Sequence, residues 1–435
     1  MSYRLGRREF LKSAAAVGLS AWAIEEARAQ AKSPNERVNF ACIGVGGKGE
    51  SDSEDAARLG NVVAICDVDD NTLNAAAQKY PGARKFNDFR VMFDQMSKSI
   101  DAVTVSIPDH NHAVAAAMAM HLHKACFCQK PLAHSLFEIR SLSELARRNK
   151  VATQMGNQGT AESGLRRGAA LVKAGAIGVV REVHVWTNRP IWPQGGGRPA
   201  TKPVPPYLHW DIWLGPAPER PFGEDSTTHY HPFAWRGFWD FGTGALGDMA
   251  CHTMNLPYMA LDLRDPIAVQ AQTSGNNKEQ YPVWSIIKYE FPATSSRPAV
   301  TMTWYDGGKK PPQDLLTEPF EDSGSLMIGD KGKLYAPGDY GENGKVIGGV
   351  DVGEPKYVES PGHFDEFVRA IKTGEPAMSN FPNYSGPLAE TVVLGNLAVW
   401  ADGKRVEWDS RHLRAKNAPD VSRIIHPRFR AGYRL

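Results

Sequence analysis

The sequence is poor in cysteine, in net charge and in long apolar runs, and each shortage excludes something. Five cysteines in 435 residues, at 42, 66, 126, 128 and 251, are sparse and odd in number. Three of them fall inside apolar, strand-like segments, so they do not make a disulfide framework. Cys126-Phe127-Cys128 puts two thiols on one face of a strand, and buried thiols are the reading favoured there over a metal pair. The net charge of +2 is the remainder of 50 basic and 48 acidic side chains. Such a balance offers no field for a polyanion, which argues against nucleic acid or a membrane surface as partner. Beyond the N-terminal segment no stretch approaches the roughly 18 apolar residues of a membrane span. Internal repeats and long low-complexity tracts are absent as well.

What is present is 42% hydrophobic and 23% charged residues in a chain too long for one ordinary core, so two domains are expected. Residues 1–29 stand apart from both. Gly6-Arg7-Arg8-Glu9-Phe10-Leu11-Lys12 leads into the apolar run from Ala14 to Ile24 and then into Ala27-Arg28-Ala29. That order is a basic region, a hydrophobic region and an A-x-A cleavage site. The arginine pair followed by Phe-Leu-Lys resembles the leader of the twin-arginine export route, which carries proteins already folded. A periplasmic or extracellular location without stable membrane insertion is therefore expected.

From residue 36 to 157 short apolar runs alternate with helical stretches, the pattern of a doubly wound parallel sheet. Strands are predicted at Val38 to Ile43, Val62 to Cys66, Ala102 to Ile107, Ala125 to Gln129 and Val151 to Met155. Helices are predicted at Asn71 to Lys79, His112 to His123 and Leu136 to Asn149. Past Asn157 the texture changes to a run of β-type segments, at 179–187, 267–274, 283–291, 299–305 and 325–335, with Pro-, Gly- and aromatic-rich loops over 190–245. Residues 158–410 are accordingly expected to form an α/β domain with a large, mostly antiparallel sheet, and 411–435 a basic arm.

Between the first two strands lies Gly44-Val45-Gly46-Gly47-Lys48-Gly49, a G-x-G-x-x-G loop. Its place after a strand and before a helix promotes it to a dinucleotide site. Gly44 serves the tight turn, Gly46 and Gly47 the approach of backbone to phosphate, and Gly49 the packing of the helix. The acidic run Glu50-Ser51-Asp52-Ser53-Glu54-Asp55 is expected to face solvent. Asp67 ends the second strand, where a carboxylate receives the adenosine ribose hydroxyls and disfavours a 2′-phosphate, so NAD is expected over NADP. A plain helix cap is the alternative for Asp67, and Asp69 can share that role.

Three further motifs follow in order: Ser106-Ile107-Pro108-Asp109-His110-Asn111-His112, Cys128-Gln129-Lys130-Pro131-Leu132, and Gly242-Thr243-Gly244-Ala245-Leu246-Gly247-Asp248-Met249-Ala250-Cys251-His252. Together they resemble the Gfo/Idh/MocA oxidoreductase family over nearly everything from 37 to about 400. The resemblance implies a Rossmann domain joined to an open-sheet α/β domain, action on sugars or cyclic polyols, and a homodimer or homotetramer. It implies that Lys130, Asp248 and His252 are catalytic, and that Pro108, His112 and Lys130 join Gly44, Gly46, Gly47, Gly49 and Asp67 around the cofactor. Gln129 stands where the family usually has Glu, and Asp109 where it commonly has Asn.

The chemistry of the residues agrees. Oxidation of a secondary alcohol needs a base for the hydroxyl proton, and the spacing of four puts Asp248 and His252 on one helix face. Asp248 orients the imidazole in that reading, His252 moves the proton, and Lys130 holds the oxygen. Trp186, Trp192, Trp210, Trp213, Tyr230, Trp235 and Trp239 offer stacking surfaces for a sugar, though many of them will simply pack a core. Asn157, His231, Trp235, Arg236 and Tyr305 are the predicted substrate contacts. A zinc reading from His229, His231, His252 and Asp248 lacks the compact ligand spacing of ordinary zinc enzymes, so no metal is expected.

An exported enzyme has no free NAD to draw on, so the hydride has to be returned. Oxidation of one sugar and reduction of another on a resident cofactor satisfies this. Transient oxidation followed by elimination, a glycosidase route, also satisfies it. A non-catalytic sugar or nucleotide sensor would keep the glycine loop without needing Lys130, Asp248 and His252 together.

Overall fold

The computed structural model describes residues 37–435, so the leader expected over 1–29 lies outside the described residues. Six parallel strands form the first sheet: β1 (Val38–Ile43), β2 (Gly60–Cys66), β3 (Arg84–Phe86), β4 (Ala102–Val105), β5 (Ala125–Cys128) and β6 (Thr153–Met155), in the order β3-β2-β1-β4-β5-β6. β4 and β5 are buried at every position, and β1 at all but Asn39. Continuous apolar runs are what a sheet covered on both faces demands. The strand order reverses between β1 and β4, which opens a crevice outside their carboxyl ends. The sequence pattern does not reveal β3 or the helix Phe89–Met96. Two of the three residues of β3 are exposed at the sheet edge, so burial leaves no trace there.

The second sheet has nine strands: β7 (Val180–Trp186), β8 (Ala268–Thr273), β9 (Ser285–Phe291), β10 (Val300–Tyr305), β11 (Gly324–Gly329), β12 (Gly332–Pro337), β13 (Lys345–Gly348), β14 (Val406–Asp409) and β15 (Arg414–Ala415). Their order is β13-β12-β11-β7-β10-β9-β8-β14-β15. Only the β7–β10 pairing is parallel. The single β segment expected over 325–335 is the hairpin β11–β12, because Asp330 and Lys331 turn the chain between two buried runs. Helices Gly244–Thr253 and Gly386–Trp400 share one core with that sheet. The second of these is buried nearly all round, and it packs between the helix Leu136–Asn149 and strands β8 and β9. A helix apolar on every side is one that lies inside the molecule.

Two segments cross the expected domain limits. The helix His363–Thr373 leaves the second sheet and covers the first: Phe364 and Phe367 lie 5.7 and 6.4 Å from the Phe40 ring, and 5.0 and 5.8 Å from Phe127. The β14–β15 hairpin spans the boundary at 410, so residues past 411 extend the nine-stranded sheet before the chain turns back. Arg430 then donates to the carbonyl of Gly215 at 3.0 Å, and Arg90 stacks over Tyr433 at 4.8 Å. No described helix is long and apolar enough to cross a membrane. All five cysteines are free and buried.

Candidate active site

The glycine loop leaves β1 at the topological switch. Gly44 has φ +79°, and a Cβ there would lie 2.2 Å from the carbonyl of Ser106; at Gly49 it would lie 2.2 Å from the carbonyl of Gly44. The loop therefore folds onto itself and onto the end of β4, tighter than any side chain permits. Gly46 lies against Thr72, and Gly47 is the N-cap of the helix Lys48–Leu59 and makes no side-chain cap. An uncapped helix start carries unsatisfied amides and the positive end of the dipole, which suits an anionic diphosphate. At the end of β2, Asp67 accepts from the amide of Val45 at 3.0 Å and from that of Asp69 at 3.0 Å. Burial, opposed by those two amides, pushes its carboxyl up. Pro108 is the N-cap of the helix Asp109–His121, and His112 Nε2 meets the carbonyl of Ile107 at 2.7 Å. Loop, Asp67 and β4 end thus fit a dinucleotide laid across the crevice.

Lys130 follows β5 and reaches the helix Gly244–Thr253 of the other sheet. Its Nζ donates to the carboxylate and to the carbonyl of Asp248, both at 2.8 Å. Arg236 Nε reaches the same carboxylate oxygen at 3.3 Å, while its guanidinium stacks on Trp235 at 4.4 Å and Phe233 at 4.6 Å. Burial pushes the Asp248 carboxyl up, but Lys130 and Arg236 more than offset it and hold it down at about 2. One turn on, His252 is buried and its Nδ1 has no hydrogen-bond partner in the described structure. Burial first and the Lys130 charge second lower its pKa to about 3, so the ring is neutral at physiological pH. The Tyr340 ring closes over it edge-on at 5.1 Å.

The expectation that Asp248 orients the His252 imidazole is corrected: the carboxylate is turned to Lys130 and Arg236, which outbid a neutral ring for its lone pairs. Asp52 is also misplaced by the solvent-facing reading of its acidic run. It is 1% exposed and accepts from Ser106 Oγ at 2.6 Å and Gln129 Nε2 at 2.8 Å.

Among the predicted substrate contacts only Trp235 and Arg236 lie at this cluster. Asn157 is fully buried and its Oδ1 accepts from Ser379. His231 sits at the far end of the crevice, with Nε2 3.0 Å from Asp69. Tyr305 packs with Trp186, Leu326 and Tyr335 and bonds His184 at 2.9 Å, in a cluster separate from the helix carrying Asp248. The aromatic wall is mostly core. Trp210, Trp213, Tyr230, Phe238 and Phe241 stack on one another, and Trp239 lies on Tyr281 at 3.8 Å. His229, His231 and His252 do not converge, and no three metal-ligating side chains do so among the described residues.

Sequence reasoning missed Lys48, Asp52, Ser106 and Tyr340 at this site. Lys48 was visible as the one charged residue inside the glycine loop. Tyr340 lies in a loop after β12 and carries no local signal.

The segment from 205 to 232 lies along the loop that follows β2. The amide of Asp70 donates to the carbonyl of Tyr207 and that of His209 to the carbonyl of Val68, both at 2.9 Å. His209 and His231 add contacts to Asp70 at 3.1 Å and Asp69 at 3.0 Å.

Comparison with known proteins gives two matches that together run almost the length of the described chain. Residues 38–157 match the NAD-binding Rossmann fold of the Gfo/Idh/MocA oxidoreductase family, and 173–435 match its C-terminal alpha/beta domain. Inositol 2-dehydrogenase of Salmonella typhimurium is 29% identical over 149 residues, 32% of this chain and 44% of that protein. The enzyme of that name from Rubrobacter xylanophilus is 32% identical over 117 residues, 25% and 32% of the two chains. The matched region thus spans less than half of these curated relatives. Among solved structures, the WlbA dehydrogenase of Bordetella pertussis in complex with NADH and UDP-GlcNAcA has a TM-score of 0.62 at 17% identity, over 86% of this chain and 99% of that one. The aldose-aldose oxidoreductase of Caulobacter crescentus gives 0.57 at 16% identity, over 86% and 100%. At these identities the likeness is one of fold.

Proposed function

Because the chain belongs to the Gfo/Idh/MocA oxidoreductase family, we propose that it oxidises a ring hydroxyl of a sugar or glycoside with NAD, and returns the hydride while the cofactor stays bound. The observation that carries the reading is the double grip of Lys130 on Asp248, beside a neutral His252, at the mouth of a dinucleotide crevice. Bound NAD supplies the hydride acceptor. The Gly44 to Gly49 loop, Asp67, Pro108, His112 and Lys130 would hold it.

Lys130 has a third N–H to offer a substrate oxygen, and its charge stabilises an alkoxide as the proton leaves. His252, neutral and with Nδ1 free of protein partners, takes that proton. Asp248 lies one turn away and compensates the imidazolium that forms, although its hydrogen bonds go to Lys130 and Arg236. Arg236, braced by Trp235 and Phe233, keeps the carboxylate ionised. The sugar class is supported by what the relatives are named for: an inositol, a UDP-linked sugar acid and a pair of aldoses. Retention of the cofactor is supported by the 205–232 segment across the Asp67 to Asp70 loop. Export in the folded state is the part of the proposal that rests on Arg7, Arg8 and the leader, and cell fractionation tests it.

The deciding experiment is mass spectrometry of nucleotide released from purified protein, joined to a panel of sugars and glycosides followed at the reduced-nicotinamide band. Released NAD and a spectral response to at least one sugar are expected. Protein free of nucleotide and silent to every sugar, with NAD added, would overturn the proposal. Hydrolysis of a glycoside without net reduction would move it to the oxidation and elimination route.

A further inference from the structure

Below the Lys130 turn, three polar side chains converge on one carboxylate that the proposed chemistry does not use. Asp52 stands on the second turn of the helix Lys48–Leu59, 1% exposed. Its Oδ2 receives Ser106 Oγ at 2.6 Å and Gln129 Nε2 at 2.8 Å, and its Oδ1 pairs with Lys48 Nζ at 2.9 Å. The three partners come from three different parts of the crevice: the glycine loop, the end of β4 and the turn that presents Lys130. Gln129 is wedged in this contact, since a Cβ on Gly156 would lie 2.5 Å from its amide carbon.

We propose that Asp52 is a positioning residue: it clamps the Gln129-Lys130 turn and the end of β4 to the glycine-loop helix, so that Lys130 is set in register with the cofactor loop. The proposal rests on the catalytic assignment of Lys130 above. It also accounts for Gln129, at a position where the resembling family usually has Glu. A carboxylate at 129 would face the Asp52 carboxylate at hydrogen-bond distance, and two such groups cannot both stay ionised. The amide donates where a carboxylate would repel. One acid and one amide are required across this gap, and in this chain the acid is on the helix.

A four-member cycle tests this: wild type, Asp52→Asn, Gln129→Glu and the double variant. The readouts are the melting temperature of the nucleotide-free protein from pH 5 to 9, the NAD dissociation constant from tryptophan fluorescence, and kcat and KM on the best sugar of the panel. In Gln129→Glu the two acids share a proton at low pH and repel once it is lost. Its kcat should fall roughly tenfold by pH 8 and recover towards pH 5, with little change in NAD affinity. Its melting temperature relative to wild type should fall over the same interval, because a carboxyl whose pKa is raised in the folded state contributes stability that is full below its unfolded pKa and lost as pH rises through the folded one. The double variant should come back to within about threefold of wild type in kcat and follow the wild-type pH profile in both readouts.

A double variant no better than Gln129→Glu, or a Gln129→Glu protein that melts and turns over as wild type across the range, would overturn the clamp. Should Gln129→Glu give no folded protein at pH 8, a folded double variant there supports the clamp and an unfolded one overturns it. Melting needs no substrate. Failure of all four proteins to turn over any sugar would therefore count against the proposed function, while the clamp is still judged from the melting cycle.

Discussion

Lys130 gives two of its three N–H groups to Asp248, so its removal leaves that carboxylate with Arg236 alone. Replacing it by Ala should lower kcat by roughly 10² to 10⁴, the range for loss of an oxyanion donor or proton-transfer partner. NAD affinity should change only a fewfold, and unchanged turnover would remove Lys130 from the catalytic set. The buried groups also fix the pH profile. Asp248 is held at about 2 and His252 at about 3. The acid limb of kcat/KM should therefore show no inflection near the usual histidine value of about 6.5 and should lie below about pH 5. A titration centred near 6.5 would mean that another group carries the proton. Lys130, Asp248 and His252 were legible as one cluster through the resemblance of their motifs to the Gfo/Idh/MocA family, and the spacing of four puts the last two one turn apart on the helix Gly244–Thr253. Asp52 was not legible, since in an acidic run every carboxylate looks solvated. Which one points inward is decided by where β4 and Gln129 come to lie.

At the scale of elements, five of the six parallel strands were readable from short apolar runs between helical stretches, and the helix Leu136–Asn149 begins where Ser135 caps the amide of Glu138. Tyr305 was misread as a substrate contact, and the tryptophans could not be sorted between wall and core, because sequence carries no sign of facing. Composition shows that aromatics are present but not which face of a sheet they occupy, and Tyr305 lies on the face away from the helices. The strap from 205 to 232 left no local trace either, because its partners at 68–70 are more than a hundred residues away in sequence. If it retains the cofactor, opening its latch should speed release. The double variant Asp69→Asn, His231→Ala removes one largely buried side-chain contact, Nε2 of His231 to the Asp69 carboxylate at 3.0 Å, and should raise the NAD dissociation rate roughly fivefold or more. Nucleotide content after timed dialysis measures it, and a release rate equal to wild type would detach the strap from retention.

At the scale of the whole molecule, His110, His112 and His252 are buried and neutral, with pKa values lowered by desolvation to about 3, 4 and 3. Unfolding restores their affinity for protons. Each group therefore costs stability as pH falls from the ordinary value of about 6.5 towards its folded value, by up to about 1.4 kcal/mol per pH unit. The loss from these rings works against the gain from the buried Glu138 and Asp306 carboxyls, raised by desolvation to about 7 and 6. The melting temperature should show a net decline from pH 7 to 4, and a curve that rises over that interval would overturn this balance. The two-sheet architecture was legible from the switch between alternating β/α pattern and consecutive strands. The crossing of the helix His363–Thr373 back to the first sheet was not, since an amphipathic helix does not announce which core it will cover. That crossing governs how the protein is made. A chain leaving the ribosome N-terminus first finishes all six strands of its first sheet while Phe40 and Phe127 still lack their cover. The sheet waits until Phe367 emerges. Until then the nascent chain displays an apolar face of the kind that chaperones hold and proteases attack, and a copy truncated before His363 would keep that part of its core uncovered.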